Sequence, residues 1–509
     1  MDALFNSAIW SICYLLVVVS LSIYGAHRFV ICYLFLRHRD HPIQPPGKFE
    51  DLPIVTIQLP IFNEYYVGKR LLTAVSKISY PAAKLQIQVL DDSTDETRVI
   101  LERESEILRS QGLDVQYIHR TDRTGFKAGA LAHGLKTAKG EFIFIFDADF
   151  VPQSDILLKT IHHFTSPQIG MVQMRWGHLN RRYSLLTRMQ AIFLDGHLLL
   201  EQTARSRSGR FFNFNGTAGA WRKSCIETSG GWQHDTLTED LDLSYRAQMC
   251  GWKFVFLPDV VVPAELPVDI NGFKSQQHRW TKGSIQTCKK LLPQLWRSPI
   301  PLMIKLEATV HLTSNFGYLL LVFLCLLVFP SSFSTTHSTL YFLLVDVPIF
   351  FFSSISVAFF YIISQRHLNP RGWFTDIWML PLLLALAVGM SVNNARGVIE
   401  AILNHRSEFT RTPKYGIGNN PRRAQKISTV RYLPLYSFLP FIEFLFAAYF
   451  TFCVSSALLR GHWSSIPFLL IFLSGFGYVA CKSLLFWIQR WLALTHPQRS
   501  SQDQREVAA

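Results

Sequence analysis

The sequence predicts an α/β domain, built on a mainly parallel, helix-covered sheet and inserted between transmembrane α-helices. Three observations predict it: short β-branched runs alternate with longer helical patterns within 51–299, apolar runs flank that stretch on both sides, and acidic residues cluster where strands end. In an α/β sheet that is where ligands bind. Of 509 residues 49% are apolar and only 17% charged, against about 25% charged in an ordinary soluble protein. Forty phenylalanines exclude a disordered polypeptide, which buries too little apolar surface to offset its chain entropy. The 50 Lys and Arg exceed the 36 Asp and Glu, which suits nucleic acid, phosphorylated substrates or anionic lipid alike, so charge alone selects no partner. Eight scattered cysteines with no C-x-x-C pair indicate neither a disulfide framework nor a zinc cluster and read as reduced and structural.

The apolar run at 8–26, continued to Leu36 beyond His27 and Arg28, is long enough for a bilayer of ~30 Å. No Lys or Arg precedes it, Arg28, Arg37 and Arg39 follow, and no small-residue cleavage site is present. It is therefore predicted to be an anchor (1–40) with the next domain (50–299) cytosolic.

Within that domain IVTIQLP (54–60), QIQVLDD (86–92), VQYIH (115–119) and EFIFIFDAD (141–149) read as strands. Helical stretches follow each of them, ending at Ser76, then at 94–110, 126–137 and 155–164. Asp91 and Asp92 close the second strand, and Ser93 or Thr94 is placed to cap the helix after it. Alone this is an ordinary strand-to-helix turn, but a carboxylate there also accepts hydrogen bonds from a nucleotide base or ribose. Asp147 and Asp149, two apart in an extended backbone, are predicted to project to one side. Two hard oxygen ligands at a strand tip suit Mg²⁺ or Mn²⁺, with diphosphate and water completing the shell.

Thr238-Glu239-Asp240 opens an amphipathic helix. Acids there complement the helix dipole, and a partly desolvated carboxylate is also the group that takes a proton from a sugar hydroxyl. Asp240 is expected to be that base, with Glu239 positioning it. Gln276, Arg279 and Trp280 share one helical face. Arg and Trp are common at a membrane interface, yet they also suit a diphosphate and a sugar ring. Two stretches contain glycine: 123–130 puts Lys127 near the nucleotide, and 215–222 would let an acceptor approach the backbone. His119, His133 and His234 lack metal-ligand spacing and read as structural.

Beyond the domain, apolar runs resume at 303–329, 340–364, 374–390, 435–458 and 463–487. The uncharged loop at 331–339 and the basic one at 365–372 make the first two runs out and back. If 374–390 spanned, the loop holding Arg406, Arg411, Lys414, Arg422, Arg423, Lys426 and Arg431 would lie outside, against the positive-inside rule. That segment is predicted to lie along the interface or re-enter, as Pro381 and the polar Asn393, Asn394, Arg396 and Glu400 suggest. The result is five spans, a membrane domain over 300–490 and a cytosolic tail over 491–509.

Taken in order, Asp-Asp, Asp-x-Asp, Thr-Glu-Asp and Gln-x-x-Arg-Trp resemble the processive family 2 glycosyltransferases, whose catalytic domain is of the GT-A (Rossmann-like) type. FNGTAGAWR, TLTEDLDL, AELP and QQHRW have near counterparts in the plant cellulose-synthase-like A and C groups, the mannan and glucan backbone synthases. The likeness covers 50–295 well and the membrane region loosely. It implies that Asp92 (or Asp91) and Lys127 hold the nucleotide, and that Asp147 and Asp149 serve the sugar diphosphate and its Mg²⁺ or Mn²⁺. It also implies Asp240 as base beside Glu239, and Gln276, Arg279 and Trp280 at the diphosphate and acceptor. The family inverts the anomeric centre, so an α-linked donor yields a β-glycoside. Phe409-Thr410-Arg411-Thr412-Pro413-Lys414 is similar to the F-x-V-T-x-K gating loop of bacterial cellulose synthase, with Arg411 in place of valine.

The expectation is a membrane-embedded synthase that polymerises a β-mannan, glucomannan or β-glucan and passes it outward. Its implied partners are a GDP-mannose or UDP-glucose donor, the growing glycan and membrane lipid, with no nucleic acid. One alternative is a lipid glycosyltransferase adding a single sugar to a membrane lipid. Another is a transporter or binding protein without catalysis.

Overall fold

The computed structural model describes residues 7–331, 347–405, 411–418 and 438–495. Among the described residues seven strands form one mixed sheet. They are β1 (Val55–Ile61), β2 (Leu85–Asp91), β3 (Asp114–His119), β4 (Phe142–Ile145), β5 (Ile169–His178), β6 (Gly219–Arg222) and β7 (Lys253–Ala264). The order is β3-β2-β1-β4-β6-β5-β7, all neighbours being parallel except β6, which runs against both of its own.

Period-two alternation makes β1 what it is. Val55, Ile57 and Leu59 are buried against Leu71 and Val75 of the Gly68–Val75 helix and Leu101 of the Thr97–Ser110 helix. Each such burial contributes roughly 1.5–3 kcal/mol. On the other face the Thr56 hydroxyl donates to Gln86 at 2.8 Å and the Gln58 amide donates to Gln88 at 3.0 Å, so these buried donors find acceptors across strands.

The four β-branched runs are β1 to β4, with two corrections. The helix after β2 begins at Thr97, and the side chain that accepts its first N–H is Asp95 at 2.9 Å, not Ser93 or Thr94. Ser93 instead accepts the Asn63 N–H across the sheet end. β4 stops at Ile145, and the Phe150 N–H bonds the Asp147 carbonyl at 3.0 Å. Asp147 and Asp149 therefore sit in a tight turn, not on one face of an extended strand.

Three helices among the described residues are long and apolar enough to cross a membrane: Ile12–His38, Leu439–Leu459 and Trp463–Ile488. The run at 303–329, expected as one span, is a pair of helices, Leu302–Thr313 and Phe316–Val328, bent by 56° and long and apolar enough to cross when taken together. The first, Leu302–Thr313, carries Glu307, whose carboxylate is buried between Arg205 (3.0 Å) and His27 (2.8 Å). Its Ala308 and Leu312 pack on Phe211, Tyr245 and Leu291 of the α/β domain. Residues 374–390 belong to a second bent pair, Trp373–Gly389 and Ser391–Ile402, at 41°. Phe409, the loop at 332–339, the basic residues of 419–437 and the tail 496–509 lie outside the described residues. All eight cysteines are free thiols.

Candidate active site

A cleft opens beyond the ends of β1, β2 and β4, and Asp92, Lys127, Asp147, Asp149, Glu239, Asp240, Gln276, Arg279 and Trp280 all line it. The Asp91–Asp92 pair is split. Asp91 is fully buried, accepting the Ser93 N–H at 2.9 Å and the Tyr117 hydroxyl at 2.7 Å, and it lies outside the cleft. Asp92, leaving the strand, reaches the cleft and takes the Arg120 fork through both oxygens at 2.8 and 2.5 Å. Arg120 also donates to the Phe126 carbonyl at 3.0 Å, which fixes the turn leading into the Phe126–Leu135 helix.

That helix presents Lys127 in its first turn. Its ammonium contacts Asp147 Oδ1 at 2.5 Å and the Gly216 carbonyl at 2.9 Å. Burial works to lower the Lys127 pKa, but Asp147, Glu239 and Asp240 outweigh it and hold it above the ordinary lysine value. Asp149 Oδ2 receives Lys414 at 2.7 Å and the Glu265 N–H at 3.3 Å. Among the described residues nothing donates to Asp147 Oδ2 or Asp149 Oδ1. These hard oxygens fit Mg²⁺ or Mn²⁺, which is commonly held by one or two carboxylates plus substrate phosphates and water. Among the described residues no group of three or more His, Cys, Asp or Glu forms a closed metal cage.

The Glu239–Met249 helix starts at the cleft wall. Asp240 Oδ1 accepts the Leu241 N–H at 2.8 Å, while burial and the adjacent Glu239 carboxylate push its pKa up to about 7. Gly216 faces it with φ at +81°, and a β-carbon there would lie 3.0 Å from Asp240 Oδ2. Only glycine suits both the backbone angle and that approach.

The Ile270–Arg297 helix supplies Gln276, Arg279 and Trp280. It is capped by Asp269, which accepts the Gly272 N–H at 2.7 Å. Gly283 on this helix lets it touch the Thr-Glu-Asp segment: a β-carbon there would sit 2.6 Å from Thr238 Cγ2 and 2.9 Å from its backbone N. Thr238 and Thr287 hydroxyls meet at 3.2 Å, and Gln286 accepts the Leu237 N–H at 3.0 Å. The Trp280 ring lies 6.4 Å from that of Trp176.

A strap, residues 411–418, crosses the cleft. Thr412 and Lys414 line it, and Arg411 Nε pairs with Glu64 at 3.0 Å. Burial pushes Glu64 up to about 8 against the pull of Arg411. Glu265 seats the strap: its carboxylate accepts the Gly416 and Gly418 N–H groups at 3.0 and 3.2 Å and binds Arg70 at 2.5 Å. Sequence reading singles out neither Glu64 nor Arg120, and it meets Glu265 only within the AELP stretch. All three contact residues far along the chain, and only AELP carries a local signal.

A family model described as glycosyltransferase like family 2 matches residues 53–283. Glucomannan 4-beta-mannosyltransferase 2 of Arabidopsis thaliana is 42% identical over 269 residues, 52% of this chain and 50% of its own length. That alignment spans half of the relative. Glucomannan 4-beta-mannosyltransferase 1 of Cyamopsis tetragonoloba is 32% identical over 450 residues, 84% of this chain and 82% of its own. A solved mannosyltransferase, PcManGT from Pyrobaculum calidifontis in complex with GDP-Man and Mn²⁺, superposes with a TM-score of 0.53 at 18% identity, covering 77% of this chain and 100% of that one. The likeness is one of fold, and the mainly parallel sheet is of the GT-A type that the motifs imply.

Proposed function

Because the chain belongs to the family 2 glycosyltransferases, we propose that it is a membrane mannosyltransferase that extends a β-mannan from GDP-mannose. The observation that carries this reading is the convergence of Asp240, the Lys127–Asp147 pair and Arg279 with Trp280 on one cleft.

Guanosine occupies the end near Asp92, and the diphosphate lies between Lys127 and Arg279, whose charges offset the charge developing on the leaving GDP. A divalent ion held by Asp147 and Asp149 supplies further positive charge when bound. Trp280 carries the terminal sugar of the acceptor. As the acceptor oxygen bonds to mannosyl C1, its proton passes to Asp240, and the C1–O bond to diphosphate breaks with its electron pair leaving on GDP. Attack opposite the leaving group inverts the centre, so an α-linked donor gives a β-linkage. Asp240 then releases its proton to solvent. Arg37 in the last turn of the Ile12–His38 helix and Arg39 just after it support a cytosolic face for this chemistry.

The test supplies labelled GDP-mannose and UDP-glucose separately, with Mg²⁺ or Mn²⁺, to protein in nanodiscs. The expected product is a high-mass, β-mannanase-sensitive polymer from GDP-mannose. A single sugar on an organic-extractable lipid overturns polymerisation, and a polymer from UDP-glucose alone overturns the donor.

A further inference from the structure

At the nucleotide end of the cleft the Arg123 guanidinium has no hydrogen bond or ion pair among the described residues. Arg123 lies over the Phe62 ring, 3.3 Å from its centroid, and 5.3 Å from that of Phe126. Its Nε is buried with no hydrogen-bond partner. Asp92, the carboxylate beside it, is already taken by Arg120 through both oxygens. Buried donors are nearly always satisfied, so an orphan that lines a binding cleft points to an acceptor on the ligand.

The turn that presents Arg123 is set before any ligand arrives. The Phe126 N–H bonds the Arg123 carbonyl at 2.8 Å, and Asp122 accepts the Thr124 N–H at 2.9 Å. Phe62 backs the plane of the fork, a stacking that arginine tolerates and lysine does not reproduce. The chemistry of the fork narrows the ligand. Arginine only donates, and two parallel donors match two neighbouring acceptors. Guanine offers that pair on one edge, O6 and N7, whereas the corresponding edge of uracil has a single carbonyl beside a C–H.

Resting on the GDP-mannose reading above, we infer that Arg123 is the residue that selects guanine in the donor, its fork donating to O6 and N7 while Phe62 holds the fork in plane. Arg120 and Asp92 are then positioning residues for the turn rather than the readers of the base.

The experiment measures equilibrium binding of GDP, UDP, 7-deaza-GDP and inorganic pyrophosphate, each with Mn²⁺, to the full-length protein in nanodiscs. The unaltered protein is expected to prefer GDP to UDP and to bind 7-deaza-GDP, which lacks the N7 acceptor, about tenfold less tightly than GDP. Arg123→Gln and Arg123→Lys are expected to lose about 5- to 150-fold for GDP, the range set by one bidentate base contact, to bind GDP and 7-deaza-GDP alike, and to keep their pyrophosphate affinity. Equal affinity of the unaltered protein for GDP and 7-deaza-GDP overturns the assignment without any mutation. So does an undiminished GDP preference in both variants, or a parallel loss of pyrophosphate binding, which would make Arg123 a phosphate clamp. A protein that binds GDP and UDP equally well before any substitution overturns the donor reading itself.

Discussion

A carboxylate that takes a proton from a sugar hydroxyl near neutral pH gains from a raised pKa, and Asp240 has one of about 7 because it is buried beside Glu239. The base works when ionised, so kcat/KM is expected to rise with pH through about 7 and to fall about tenfold per unit below it. Asp240→Asn is expected to abolish this rise and lower kcat by about 10²- to 10⁴-fold, with GDP affinity little changed; a variant that turns over normally removes Asp240 from the role of base. Asp240, Lys127 and Asp147 were legible in the sequence because each sits in a short motif whose spacing carries chemistry. Asp91 and Asp92 were not separable there. The strand direction decides which of the two turns inward to Tyr117 and which leaves for the cleft, and that depends on where β2 ends. Glu64 and Arg411 meet across 347 positions of chain, and neither has a neighbour that announces the pairing.

Two elements set the distance between the halves of the site. The Ile270–Arg297 helix rests its Gly283 against Thr238, so Gly283→Ala is expected to push the Glu239–Asp240 segment away at a cost of about 1–3 kcal/mol. Thermal unfolding in detergent measures the cost, and the transfer rate should drop with it; unchanged values for both would show the contact to be slack. The strap hangs largely on Glu265, and Glu265→Gln weakens its hold on two backbone amides. Faster hydrogen exchange at Gly416 and Gly418 is the expected result, and protection equal to the unaltered protein would move the anchor elsewhere. β1 to β4 were readable because short β-branched or aromatic runs ended in turn residues. β6 has four residues, too few for a period, and β7 is interrupted by Pro258 and Asp259 where its register against β5 shifts. Neither the antiparallel β6 nor the sheet order follows from local pattern.

On the scale of the whole chain, the Ile270–Arg297 helix is joined to the long apolar C-terminal helices by buried charge. Lys274, two residues before Gln276, binds Glu443 of the Leu439–Leu459 helix at 2.6 Å and lies 3.4 Å from Ser483 of the last helix. Further along, Lys282 and His278 converge on Glu400 at 2.9 and 3.1 Å. Breaking one partner of a buried pair costs about 3–5 kcal/mol, whereas an apolar replacement of both is often neutral. Glu443→Gln should therefore lower the unfolding temperature and Lys274→Met with Glu443→Leu should restore most of it. Equal losses in both would assign the effect to packing alone. The same ion pair has a consequence for the lipid around the protein. A bilayer thicker or thinner than the apolar length of the Leu439–Leu459 helix tilts that helix, and the tilt is carried by Lys274 to Gln276, Arg279 and Trp280. Acyl chain length then acts as an effector of sugar transfer: nanodiscs of short- and long-chain lipids should give different turnover at saturating donor, and the difference should shrink when the Lys274–Glu443 pair is replaced.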